Sequence, residues 1–283
     1  VKSRLWYRIA LATKAGAPQL VLASGDHPGA AIAEAEHEVP GSWAIAFDVA
    51  TAEEIPLGES VGKGHVVRIG PAPAGLSTFA FPPGALPAVA GGVHTMVRGW
   101  VKRSAAELLV LEAQTDADHL VDLYLGMIER LPSADNLEIR VLDHYDAAGQ
   151  TDVWLTSRID AKKILRFLDD HDAELFGNGH VELSVYVRAH RATLRLTSHK
   201  TVLWLAEGTG PNATDANDGH GGRLEAEVTR WFGELAVPEV AVLPSVTDGA
   251  YHHYRTAASR DRKKLGDELF KQRLRKVDTV RVS

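Results

Sequence analysis

The 283-residue chain has no cysteine. That excludes disulfides, thiol nucleophiles, thiolate-bound iron–sulfur clusters and thiolate zinc sites. No stretch approaches the roughly 18 apolar residues of a membrane helix, so no membrane span is expected. The opening residues Val1 to Arg8 are too polar for a signal peptide, and a cytoplasmic protein is the expectation. Cationic charge is also short: 31 Lys and Arg face 37 Asp and Glu, for a net charge of −6, which makes nucleic acid an unfavoured partner. Familiar chemical signatures are missing too. There is no Gly-x-Ser-x-Gly elbow, no Rossmann glycine fingerprint and no P-loop.

With 45% apolar residues, the chain can build a proper core. Abundant Ala and a preference for Arg over Lys suit a bacterial, GC-rich source. The organising stretch is about Ala105 to Leu205, where apolar periodicity alternates between two and 3.6 residues. A strand at Ala106–Glu112 is followed by a helix carrying Leu120, Leu123, Tyr124, Met127, Ile128 and Leu131 on one face, with Thr115 and Asp118 placed as a capping box. Strands at Leu137–Val141 and Val153–Leu155 precede a second helix capped by Asp160, and Val181–Val187 alternates as a strand with one wet face. Short strands at Thr193–Thr197 and Thr201–Leu205 add a hairpin. The expected fold class is α+β, with a central ferredoxin-like βαββαβ module and an added β-hairpin.

A smaller α/β unit precedes this module, with a hairpin from Leu5–Ala12 and Gln19–Ala23, a helix at Pro28–Glu38, and strands at Trp43–Val49 and His65–Ile69. Closely spaced prolines between Gly70 and Gly92 mark a linker, giving units at 1–92, 93–206 and 207–283. The last unit opens on a polar loop, Glu207–Gly222, and continues with a helix at about Arg223–Gly233. It ends in a helix at Arg260–Lys276 with an unburied apolar stripe. Ten Lys or Arg against four acids make Tyr251–Ser283 basic, while the rest of the chain is acidic.

The absence of a complete catalytic constellation, together with this tail, points to a non-enzymatic interaction or assembly subunit. It would dock on a protein partner, or on its own copy, through Arg262, Lys263, Leu265, Leu269, Phe270, Arg273 and Leu274. The alternative is an enzyme or sensor that binds a small anionic or nucleotide-like ligand at Ser24, Gly25, Asp26, His27 and Gly29, with Lys63 nearby, because a strand-to-helix turn presents N–H groups to anions. Thirteen histidines raise the question of metal, but no three have ligand spacing, so no metal or other cofactor is expected. In a ferredoxin-like sheet with parallel second and fourth strands, His144 and His180 fall at opposite edges. His252 and His253 are adjacent in a strand and face opposite sides, as a surface or interface pair.

Overall fold

Apolar alternation in the first seventy residues builds a four-stranded antiparallel sheet. A computed structural model describes residues 5–55, 66–90, 96–105, 108–207, 221–245 and 251–281. Its first sheet runs in the order β3-β1-β2-β4, from β1 (Leu5–Thr13), β2 (Gln19–Gly25), β3 (Ser42–Val49) and β4 (Val66–Pro71). Helix α1 (Pro28–Glu38) starts on a proline, whose fixed φ suits that position, and its buried Ala31 and Ala35 let it lie close to the strands.

The remaining chain builds an eight-stranded sheet. In chain order its strands are β6 (Gly99–Ala105), β7 (Leu108–Gln114), β8 (Asn136–Val141), β9 (Gln150–Leu155), β10 (Val181–Val187), β11 (Ala192–Leu196), β12 (Val202–Glu207) and β14 (Arg275–Arg281). They lie in the order β14-β9-β8-β10-β11-β12-β7-β6, with every neighbouring pair antiparallel. Helices α2 (Leu120–Arg130), α3 (Ala161–Asp170), α4 (Gly221–Glu234) and α5 (Arg262–Lys271) bury apolar residues in the same core as the inward strand positions. Leu137, Ile139, Leu183, Val185, Leu194 and Trp204 are fully buried there, and Trp100 stacks on Phe232 at 5.6 Å. Each such side chain contributes about 1.5–3 kcal/mol. Positions that alternate with these are polar and pair in place, as Glu138 does with Arg140 and Glu182 with Arg195.

The chain is mixed helix and sheet, and the expected order βαββαβ is present along it. The lateral strand order is different from the ferredoxin-like expectation. The β11–β12 hairpin is inserted between β10 and β7, so β10 lies beside β8, and antiparallel to it. Helix α2 also begins later than expected. Its first residue is Leu120, and Asp116 pairs with His119 instead of Thr115 and Asp118 forming a capping box. Asp160 does cap α3, accepting from the Lys163 amide at 3.0 Å.

The C-terminal helix is shorter than its sequence pattern implies. It stops at Lys271, Arg273 turns the chain at a φ of 65°, and residues 275–281 become the edge strand β14. The polar loop expected at Glu207–Gly222 and the position of Lys63 fall mostly or wholly outside the described residues.

A short ribbon joins the two sheets. Strand β13 (Tyr251–His253) pairs with β5 (Ala85–Pro87), and the residues after it touch both units. The Tyr254 amide donates to the Gly84 carbonyl at 2.8 Å, and the Gly179 amide donates to the Tyr254 carbonyl at 2.9 Å. The seam needs glycine: a Cβ at residue 179 would stand 1.8 Å from the Gly84 oxygen, and Gly84 itself has a φ of +105°. Tyr254 is buried edge-on against Phe47 at 5.6 Å, which anchors the ribbon in the first unit.

Candidate functional site

Strand adjacency brings together imidazoles that are distant in sequence. Val141, at the end of β8, lies opposite Val181, at the start of β10, and the Leu142 amide donates to the His180 carbonyl at 2.9 Å. The turn of 3-10 helix after β8, Asp143–Tyr145, then carries His144 to a ring-centre distance of 4.8 Å from His180. Asn178 fastens the two turns. Its Oδ1 accepts from the His180 amide at 3.0 Å, and its Nδ2 donates to the Tyr145 hydroxyl at 3.3 Å.

The β11–β12 turn ends at the same rim and supplies His199. It is closed by the Thr197 amide donating to Thr201 and the Lys200 amide donating to Thr197, both at 3.0 Å. From the other unit, β13 supplies His253, with ring centres 4.8 Å from His144 and 4.6 Å from His199. Tyr145, 4.9 Å from His180, and Tyr251, 5.8 Å from His199, close the row at its ends. His144, His199 and His253 line a cavity of about 840 Å³ on the polar side of the large sheet, with Asp143, Glu182 and Ser198.

Burial controls the charge of this row. The His180 imidazole is pushed down to about 3, first by loss of water and then by His144, His253, Lys200 and Arg255. His253 is likewise pushed down to about 3 by burial, with His199, His144, Lys200 and His252 adding to the effect. Both rings are therefore neutral at pH 7. His180 Nδ1 and His253 Nε2 are buried and have no hydrogen-bond partner among the described residues. Lys200 is wholly buried, donates to the Asn178 carbonyl at 2.7 Å, and is pulled down to about 7 by desolvation, with Glu182 opposing. No group of three or more His, Asp or Glu side chains among the described residues is arranged to hold a metal ion.

The expected separation of His144 and His180 is corrected by the neighbouring, antiparallel placement of their strands. His252 and His253 do face apart: His252 Nε2 lies 2.9 Å from Asp48, while His253 enters the row. At the Ser24–Gly29 turn, Ser24 is buried, and the space a Cβ would take at Gly25 is met by the Ala31 amide nitrogen at 2.7 Å. At Gly29 the same space is filled by the Arg255 carbonyl oxygen, and Gly29 bridges to Thr256. The protein's own backbone thus fills the space beside both glycines.

Of the tail residues, Leu265, Leu269 and Leu274 are buried in the main core, whereas Lys263, Phe270 and Arg273 are exposed. Most of the apolar stripe expected to await a partner is thus covered by the protein's own core, while Phe270 and Val277 stay exposed. Arg262 works inside the molecule, pairing with Asp146 at 3.1 Å and Asp152 at 3.2 Å and donating to the Leu142 and Gln150 carbonyls. It braces the loop that carries His144. Sequence reasoning did not bring His199 and His253 beside His144, and the available signal was that histidines recur at the ends of expected strands.

No protein-family model, no curated protein and no solved structure matches this chain. No helix among the described residues is long and apolar enough to cross a membrane.

Proposed function

We propose that this protein is an enzyme performing general acid–base chemistry on a small polar substrate, with His253 as the proton-accepting group nearest the substrate. The observation supporting this most is the convergence of His144, His180, His199 and His253 from separate segments on one row beside a cavity. A general base must be unprotonated at working pH and within reach of the proton it takes. His253 is kept neutral by burial and lines the cavity; His180 stands behind His144. This keeps the ligand-binding alternative and moves it away from the Ser24–Gly29 turn.

The test is a screen of chromogenic carboxylic and phosphoric esters, followed by variants of any activity found. His253→Ala should lower turnover by about 10²–10⁴-fold, the usual worth of a positioned acid or base, while the protein stays folded. Undiminished turnover in both His253→Ala and His144→Ala would reject the proposal.

Assembly through the C-terminal helix has less behind it. Leu265, Leu269 and Leu274 are already committed to the core, leaving Lys263, Phe270 and Arg273 as the surface such a partner would meet.

A further inference from the structure

We infer that the group recognised in this pocket is a tetrahedral oxyanion of the phosphate type, seated against His253 and His144; the inference rests on the acid–base reading of the same pocket. The first support is the balance of charge around the row. The imidazoles feel one another, Lys200 behind the β11–β12 turn, Arg255 on the ribbon, and His252 on its far side. The carboxylates near them are engaged elsewhere. Glu182 accepts from Arg195 at 2.6 Å and from the Ser198 amide at 3.2 Å, Glu112 pairs with Arg103 at 3.0 Å, and Asp48, beside His252, also pairs with Arg8 at 2.9 Å. Asp143, 3.4 Å from His144, is the remaining acid at the rim. Once protonated, the row has little internal counter-charge, and an entering anion supplies it.

The second support is the hydrogen-bonding inventory. His253, which lines the cavity, holds a buried ring nitrogen without a partner among the described residues, as does His180 behind the lining. A neutral imidazole presents one N–H donor and an imidazolium two, so the rings that face the cavity can donate to phosphate oxygens, and any proton taken up adds a further donor. Thr197, Ser198, Thr201 and Ser245 add hydroxyls around the same cavity. At about 840 Å³ it is roomy enough for an oxyanion joined to an organic group, within the usual range for small-molecule sites. Because anion and protons favour each other's binding, their affinities are linked.

Titration calorimetry on the full chain tests this with sulfate, which stays dianionic across the range, inorganic phosphate, and acetate as a planar control. Sulfate and phosphate should both saturate a site, and sulfate affinity should rise as the pH falls from about 6 towards about 4.5, where the lowered rings begin to take up protons, with net proton uptake on binding there seen in buffers of different ionisation heat. His253→Gln should weaken sulfate by about tenfold, as should His144→Gln, whose side chain sits 39% exposed on a turn and is replaceable without unfolding. No saturable binding of either oxyanion, or an affinity indifferent to pH and to both variants, would overturn the inference. Catalysis that depends on His253 without oxyanion binding would sink this inference alone. Oxyanion binding with catalysis indifferent to His253 would instead reject the acid–base reading.

Discussion

Acidification should unfold this protein along a slope set by its buried imidazoles. His180 and His253 are held far below the ordinary imidazole value of 6.5, at about 3 each, mainly by burial. The unfolded chain takes up these protons as pH drops through about 6.5, while the folded chain refuses them until about 3. Their contribution to stability is therefore full above about pH 6.5 and is lost steadily below it. Each withheld proton costs up to about 1.4 kcal/mol per pH unit, so the pair reaches at most about 2.7 kcal/mol per unit. His253 is only partly buried and contributes less than its limit, whereas His180 is 8% exposed and contributes nearly all of it. Over two pH units this loss rivals the roughly 5–15 kcal/mol that stabilises a typical domain. Urea unfolding at half-unit steps between about pH 7 and pH 4.5 measures the slope, and His180→Gln should flatten it by about one proton's worth. A slope below about 0.5 kcal/mol per unit, or one that His180→Gln leaves unchanged, would refute the reasoning.

Two further substitutions probe what holds the site in place. Gly179→Ala puts a methyl 1.8 Å from the Gly84 oxygen, so it should destabilise the protein by more than about 3 kcal/mol in thermal unfolding and disturb the His253 resonances. Lys200→Met removes a wholly buried amine whose folded value is lowered to about 7, and wild type is therefore least favoured at and below that pH. The variant should be at least as stable at about pH 7, with its advantage shrinking towards about pH 10; destabilisation at both values would show that the bond to the Asn178 carbonyl outweighs the buried charge.

Local chemistry made much of the fold legible. Pro28 and the alanines after it mark α1 at the bounds the structure shows, and Asp160 marks the start of α3. Strand partnership was not legible, because a period of two tells which face a residue takes and not which strand lies alongside. That one gap hid the site: His144 and His180 meet only because β8 and β10 are neighbours. His253 was hidden for a second reason. Its three-residue strand is placed by close backbone contacts at Gly84 and Gly179, which carry no side-chain pattern. The end of the last helix was misplaced because Leu265, Leu269 and Leu274 keep near-helical spacing although the helix stops at Lys271, and amphipathicity alone does not say whether the chain itself or a partner covers an apolar side.

The most direct measurement is an NMR titration of the imidazole carbons of His180 and His253, assigned by single replacement. Both rings should remain neutral from about pH 8 down to about pH 4.5, within the range where the protein stays folded, with contacts linking His253 to His144 and His199. Ordinary titration near pH 6.5 for both rings, without those contacts, would contradict the account.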